Sequence, residues 1–321
     1  MHDRPALEVA LATHNGAVFL PELLESLFSQ SCQDFNIVVA DDNSADATPA
    51  IITRFQAAHP GRIRVAGFID HSGGAAANFA RLTDHLSAAY CCFADQDDVW
   101  LPDKVTTSLR RLRCAEQQWG SDCPILVHTD LNLVDAELQL RHRSFWRHVA
   151  INPKRHALRQ MLIETSVAGC TLMANRALYE LARPIPAQAV MHDQWFALVA
   201  SAFGRMEYIP EPSVLYRRHA GNVSRRRDAG LVSLLTRVSE IAGGTTVRQD
   251  RENFDRLVRQ AAAFVERYRF RLSIQQLGLV QMFAGLPAAN PSDRCAGLLR
   301  HRVLRTGILR NLALFHLLCR T

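Results

Sequence analysis

The sequence predicts an α/β protein: a mainly parallel sheet flanked by helices, followed by a helical C-terminal extension. Three observations predict it. Over the first two thirds of the chain, apolar runs of strand length alternate with segments of helical periodicity. Three polar clusters, at 13–16, 41–44 and 95–98, each follow one of those strands directly. From about Leu231 onward strand signals stop, and the pattern becomes helical and basic.

The elements follow in order. Residues 7–12 alternate apolar side chains and read as a strand. Phe19, Leu20, Leu23, Leu24, Leu27 and Phe28 recur at helical spacing. Pro21 fits the first turn of that helix, where its missing N–H costs little. Residues 36–40 form a short buried strand, and Ser44 or Asp46 caps a helix through Ile51, Ile52 and Phe55. A strand at 62–68, a helix at 78–88, a buried strand at 90–94, a helix at 104–116 and a strand at 125–129 continue the alternation. Past Ser166 an apolar strand runs to Met173. A loop with Pro184 and Pro186 leads to a helix from His192 through Phe203, and strands at 206–209 and 214–217 close this part. In such sheets ligands bind beyond the carboxyl ends of the strands, where the three polar clusters fall.

Composition bounds the function. With 321 residues, 48% of them hydrophobic and 21% charged, the chain supports a sizeable folded core. Its 37 basic and 31 acidic residues give a net charge of +6, which suits a phosphorylated ligand, nucleic acid or an anionic membrane surface. No nucleic-acid recognition motif or basic sheet with interleaved aromatics is present, so nucleic acid is not an expected partner. Arginines cluster at Arg217, Arg218, Arg225, Arg226 and Arg227, and again at Arg294, Arg300, Arg302, Arg305 and Arg310. The eight cysteines form no Cys-x-x-Cys pair, which argues against zinc and a disulfide framework. No signal peptide is visible, and no stretch reaches the roughly 18 apolar residues of a membrane span. A cytoplasmic address is expected.

Several residues carry the chemistry. Asp95, Asp97 and Asp98 directly follow a buried strand, and carboxylates packed together repel unless a cation or water separates them. A hard divalent ion, Mg²⁺ or Mn²⁺, takes one or two such carboxylates plus substrate phosphates; capping of the following helix is the plainer role. Asp41 and Asp42 also follow a strand and serve either as helix caps or as acceptors for a base N3–H or a ribose hydroxyl. Asp193 lies near the start of a helix, where the macrodipole favours an anion; as a general base it takes a proton from an acceptor hydroxyl. Trp100 and Trp195 are candidate walls for a sugar or acceptor ring, with core packing the alternative. His219 follows Tyr216-Arg217-Arg218, and these basic neighbours suit diphosphate contact.

In this order the clusters resemble the family 2 glycosyltransferases of GT-A, Rossmann-like fold, and within them the bacterial rhamnosyltransferase-like branch. The matching segments are Leu11-Ala12-Thr13-His14-Asn15-Gly16, Ala40-Asp41-Asp42-Asn43-Ser44, Asp95-Gln96-Asp97-Asp98-Val99-Trp100, Gly169-Cys170-Thr171, His192-Asp193 and Tyr216-Arg217-Arg218-His219. They span about residues 7–224. The resemblance implies that Thr13 and Asp42 border the nucleobase, with Asn15 and Asp41 beside them. It implies that Asn78 and Gln96 line the rest of the donor site and that Asp95 faces the ribose or the metal. Asp97 would hold the metal against the diphosphate, with His219 as a further ligand. Asp193 would be the base, and direct attack at C1 would invert the anomeric carbon. Two positions depart from the pattern: His14 stands where most relatives have Tyr, and Gln194 where the branch often has Trp.

The implied reaction is transfer of a sugar, rhamnose being one candidate, from a dTDP- or UDP-linked donor to a hydroxyl of a glycan or lipid-linked acceptor. It would belong to bacterial cell-surface polysaccharide synthesis. Sugar-phosphate nucleotidyl transfer is the alternative enzyme class, although 13–16 lacks the Gly-rich basic loop usual there. A non-catalytic basic membrane-binding protein is the other alternative. The expected division is a catalytic domain over 1–225 and a basic helical region over 226–321 for membrane-surface or homo-oligomer contact. In that region Leu298, Leu299, Val303, Leu304, Ile308, Leu309 and Leu312 fall on one broad helical face among arginines. Such a segment suits a peripheral position on the inner face of the membrane.

Overall fold

The computed structural model describes residues 6–67, 71–219 and 245–319. Phe68, Arg225, Arg226, Arg227 and the 231–244 start of the expected helical region lie outside them. The chain divides into two compact units. The first holds residues 1–145, 167–185 and 203–225; the second holds 146–166, 186–202 and 226–321.

The first unit is built on a nine-stranded sheet. Its strands are β1 (Leu7–Thr13), β2 (Phe35–Asp41), β3 (Ile63–Val65), β4 (Tyr90–Asp95) and β5 (Val99–Trp100), then β6 (Ile125–Val134), β7 (Leu140–His142), β8 (Met173–Asn175) and β9 (Arg205–Arg217). They lie in the order β3-β2-β1-β4-β8-β6-β9-β5, with β7 on β6. The pairs β1–β2, β1–β4, β2–β3 and β6–β9 are parallel. β8 is antiparallel to both β4 and β6. Leu7, Val9, Ala10 and Leu11 are all buried, as are Ile37, Val38, Val39 and Ala40. A strand buried on both faces reads as a continuous apolar run because helices cover each side.

Those helices are α1 (Leu20–Phe28), α2 (Thr48–Ala58), α3 (Ala75–Asp84), α4 (Lys104–Trp119) and α7 (Arg176–Ala182). In α1, Pro21 occupies the first turn as expected, and Leu20, Leu23, Leu24 and Leu27 form the buried face. Neither proposed cap holds the N-cap of α2, which is Ala47 and has no side-chain cap bond. Asp46 Oδ1 accepts the Thr48 N–H at 2.9 Å from one residue further out, and the Ser44 hydroxyl donates to Asp41. Three strand expectations change. Among its described residues the 62–68 strand is paired only over β3. The 166–173 run forms a 3₁₀ turn at Gly169–Thr171, and only β8 pairs. The strands at 206–209 and 214–217 are one strand, β9, whose register against β6 shifts at Thr129/Asp130 and Asp130/Asn132. Pro210 and Pro212 interrupt the apolar pattern there, and such irregularities are where a sheet accepts proline.

The second unit is helical. It contains most of α5 (Phe145–His148), α6 (Leu158–Met161), nearly all of α8 (His192–Phe203), and α9 (Thr245–Tyr268), α10 (Ile274–Ala284), α11 (Pro291–Arg300) and α12 (Ile308–Cys319). Trp195 on α8 packs against Phe264 and Tyr268 of α9, with ring centroids 5.6 and 6.0 Å away. Gln260 Oε1 accepts the Val190 N–H at 2.9 Å, and Gln276 Nε2 donates to the Ala202 carbonyl at 2.8 Å. Glu164 holds the turn before α12, accepting from the N–H and hydroxyl of Thr306 and forming an ion pair with Arg310. The single apolar face expected over 298–312 is therefore broken. Arg302 and Gly307 take positive φ between α11 and α12, and Leu298 and Val303 are buried.

Candidate active site

Parallel register brings the first three polar clusters together. Thr13 lies opposite Asp41 across β1–β2, and Ala12 lies opposite Asp95 across β1–β4. The chain runs from β1 out to β3 and then returns to the other side of β1 for β4. The carboxyl ends of β1 and β4 thus flank a topological switch point, where open α/β sheets bind ligands.

On the β2 side the polar groups hold one another. Asp41 Oδ1 accepts from the Thr13 hydroxyl at 2.7 Å and from the Ser44 hydroxyl at 2.6 Å, and its Oδ2 accepts the Ser44 N–H at 2.9 Å. Asn15, at φ 47°, donates its N–H to Ser44 Oγ at 2.8 Å and accepts from the Ala45 N–H through Oδ1 at 2.8 Å. Gln96 bridges to the His14 backbone, with Oε1 accepting its N–H at 2.8 Å and Nε2 donating to its carbonyl at 2.9 Å. A Cβ at position 16 would run into the Gln96 side chain, so Gly16 permits that approach. Buried Asn78 donates to the Ala40 carbonyl at 3.0 Å. The Asp42 carboxylate takes the Ser72 N–H on Oδ1 and faces His71 Nδ1 at 2.9 Å on Oδ2. Burial opposes its charge, yet the Ser72 and His71 hydrogen bonds hold its carboxyl below the usual range. His14 Nδ1 lies 2.8 Å from the Asp42 carbonyl, and its ring stacks on His71 at 5.7 Å. His71 and Ser72 carried no sequence signal; only folding places them against Asp42.

On the β4 side the acidic residues converge. Ligand atoms of Asp95, Asp98 and Cys170 lie within 4.8 Å of one another. Asp97 Oδ2 is 2.8 Å from His219 Nε2. Asp98 is fully buried; burial first, then the Asp97 and Asp95 charges, push its carboxyl well above the usual range. Burial, then the Asp98 and Asp95 charges, raise the Cys170 thiol well above its ordinary range, and a soft thiol suits a hard divalent ion less well than the carboxylates do. The Asp97 carboxylate and the His219 imidazole are a donor pair of the kind that fits a hard divalent ion such as Mg²⁺ or Mn²⁺.

The two tryptophans serve packing instead of forming ligand walls. Trp100 is 2% exposed, with buried Lys104 Nζ 3.9 Å from its ring centroid, and Trp195 has no exposed surface. Asp193 lies in the first turn of α8, in the second unit, where its Oδ1 accepts the Gln194 N–H at 2.7 Å. Its neighbour His192 is buried, which lowers the imidazole pKa to about 3 and keeps the ring neutral.

A parallel half-sheet ending in an acidic cluster at its switch point, with a helical C-terminal part, defines a GT-A-type glycosyltransferase. The family model for glycosyl transferase family 2 matches residues 8–179, more than half of the chain, and the chain belongs to that family. It is 29% identical over 226 residues to the dTDP-rhamnosyl transferase RfbG of Shigella flexneri, covering 66% of this chain and 72% of that protein. S. aureus TarS in complex with UDP-GlcNAc shares the fold, with a TM-score of 0.56 at 14% identity over 92% of this chain and 82% of that one. The mannosyltransferase PcManGT of Pyrobaculum calidifontis, in complex with GDP-Man and Mn²⁺, gives a TM-score of 0.56 at 18% identity, covering 98% and 79%. Among the described residues no helix is long and apolar enough to cross a membrane.

Proposed function

We propose that the chain is a metal-dependent, inverting transferase using a dTDP- or UDP-linked sugar, with rhamnose the first candidate. The observation that carries this is the alignment of Thr13, Asp41 and Asp95 at adjacent strand ends beside the Asp97–His219 pair. The rhamnosyl relative and the nucleotide-sugar complexes of the structural neighbours support the donor class. Thr13, Asn15, Asp41, Asp42, Asn78, Asp95 and Gln96 shape the donor pocket, several of them by fixing its walls. Asp97 and His219 hold Mn²⁺ or Mg²⁺, which when bound neutralises charge on the diphosphate. Asp193 takes the proton of an acceptor hydroxyl as that oxygen bonds to C1 and the C1–O bond to the nucleoside diphosphate breaks. The acceptor is a glycan or a lipid-linked sugar of a cell-surface polysaccharide. The test is incubation with UDP-, dTDP- and GDP-sugars and lipid-linked acceptors, following nucleoside diphosphate release and product anomer. Acceptor-dependent release with the anomer reversed is expected; a retained anomer would overturn inversion.

The second part of the reading places the helical region on an anionic membrane surface. Residues 245–321 hold thirteen arginines and five acidic residues, whereas 1–244 hold 24 basic and 26 acidic. The chain's whole positive excess is thus C-terminal. On α12, Ile308, Leu309 and Leu312 are 80%, 56% and 58% exposed, at spacings that share a helix face. Apolar side chains beside arginines favour an anionic interface. Wild-type protein is expected to float with phosphatidylglycerol vesicles and less with phosphatidylcholine ones. Replacing all three residues by Ser should reduce that flotation several-fold, and unchanged flotation would contradict the placement.

A further inference from the structure

Arg217 reads in the sequence as one of the basic neighbours of His219 that suit diphosphate contact, but its side chain is turned inward and only 2% exposed. Its Nε donates to the Asp97 carbonyl at 2.9 Å. Nη1 donates to the Ala136 carbonyl and Nη2 to the Glu22 carboxylate. Its backbone N–H donates to Asp98 Oδ1 at 3.2 Å. The guanidinium carbon lies 4.5 Å from the centroid of the Phe19 ring, and that ring lies 4.8 Å from the ring of His219. One side chain therefore ties the loop after β4, the turn after β6 and the start of α1 to the end of β9.

We infer that Arg217 is a positioning residue for the metal pair: it fixes the backbone of Asp97 and, through Phe19, the ring of His219. Oδ2 and Nε2 then stay 2.8 Å apart, close enough to be offered together to one ion. This inference rests on the reading of Asp97 and His219 as metal ligands. A buried cation is costly unless its donors are met, and here three different segments meet them. The planar fork of arginine reaches two carbonyls and a carboxylate at once; the single ammonium of lysine cannot hold all three.

Mn²⁺ affinity, followed by electron paramagnetic resonance with Mn²⁺ alone and with Mn²⁺ plus UDP, tests this on wild type, Asp97→Asn, Arg217→Lys and Phe19→Leu. Melting of each metal-free variant reports the fold. Wild type is expected to bind Mn²⁺ and Asp97→Asn to lose it. Arg217→Lys should weaken binding about 10–100-fold, the usual cost of losing a group that orients a metal ligand, with metal-free melting lowered but still cooperative. Phe19→Leu should weaken it several-fold, and it decides the question if Arg217→Lys does not fold. A wild type that binds no Mn²⁺ would overturn the metal reading itself. Wild-type affinity in a folded Arg217→Lys, or in Phe19→Leu where Arg217→Lys fails to fold, would overturn the positioning role alone.

Discussion

Replacing Asp193 by asparagine is expected to cut sugar transfer about 10²–10⁴-fold, the usual worth of a general base, while nucleotide affinity stays at its wild-type value. The amide is close in size to the carboxylate and keeps an oxygen for the Gln194 N–H, so the first turn of α8 survives. What it loses is the ability to take a proton. The acceptor hydroxyl then attacks C1 without a base, and only the rate changes. Initial rates of nucleoside diphosphate release, with nucleotide binding measured by calorimetry on the same preparation, check both halves. Near-normal turnover would remove Asp193 from the mechanism. Loss of nucleotide affinity would instead give the residue a structural role.

The second large effect belongs to Asp97→Ala. Its carboxylate stands 2.8 Å from His219 Nε2, and with it gone the imidazole loses that oxygen as a partner in holding a cation. The expected result is loss of the metal-dependent part of nucleotide binding, with any metal-independent contact near Thr13 and Asp42 kept. The sheet should tolerate the change, because the Asp97 carboxylate is partly exposed and lies on a loop between β4 and β5.

The meeting of the three polar clusters was legible because it depends on local order. β1, β2 and β4 are apolar runs of strand length, and each ends in the residues that cluster: Thr13, Asp41 and Asp95. Once the strands are parallel neighbours, their ends must meet. Side-chain engagement was less legible. Asn15 and Gln96 spend their polar atoms on Ser44, Ala45 and the His14 backbone, and nothing local in the sequence fixes those pairs. Trp100 and Trp195 looked like ring walls because an aromatic beside an acidic motif carries no sign of its burial. Arg217 was read only as one of the basic neighbours of His219 suited to diphosphate contact, because its partners Glu22, Asp97 and Ala136 lie about 80 to 195 residues away. The tail failed as one helix because the apolar spacing continues across the backbone break at Arg302 and Gly307. The expected boundary at 225 followed the end of the strand signal. The second unit also draws on 146–166 and 186–202, whose helical segments lie between strands of the first.

The most direct measurement is thermal unfolding of wild type and Asp97→Ala with UDP, dTDP and GDP, each with and without Mn²⁺. A ligand at 100 times its dissociation constant adds about 2.7 kcal/mol of stability, enough to move the transition visibly. The account predicts a Mn²⁺-dependent rise in melting temperature with UDP or dTDP, absent with GDP and absent in Asp97→Ala. An equal rise in Asp97→Ala, or no rise with any nucleotide in the wild type, would contradict it.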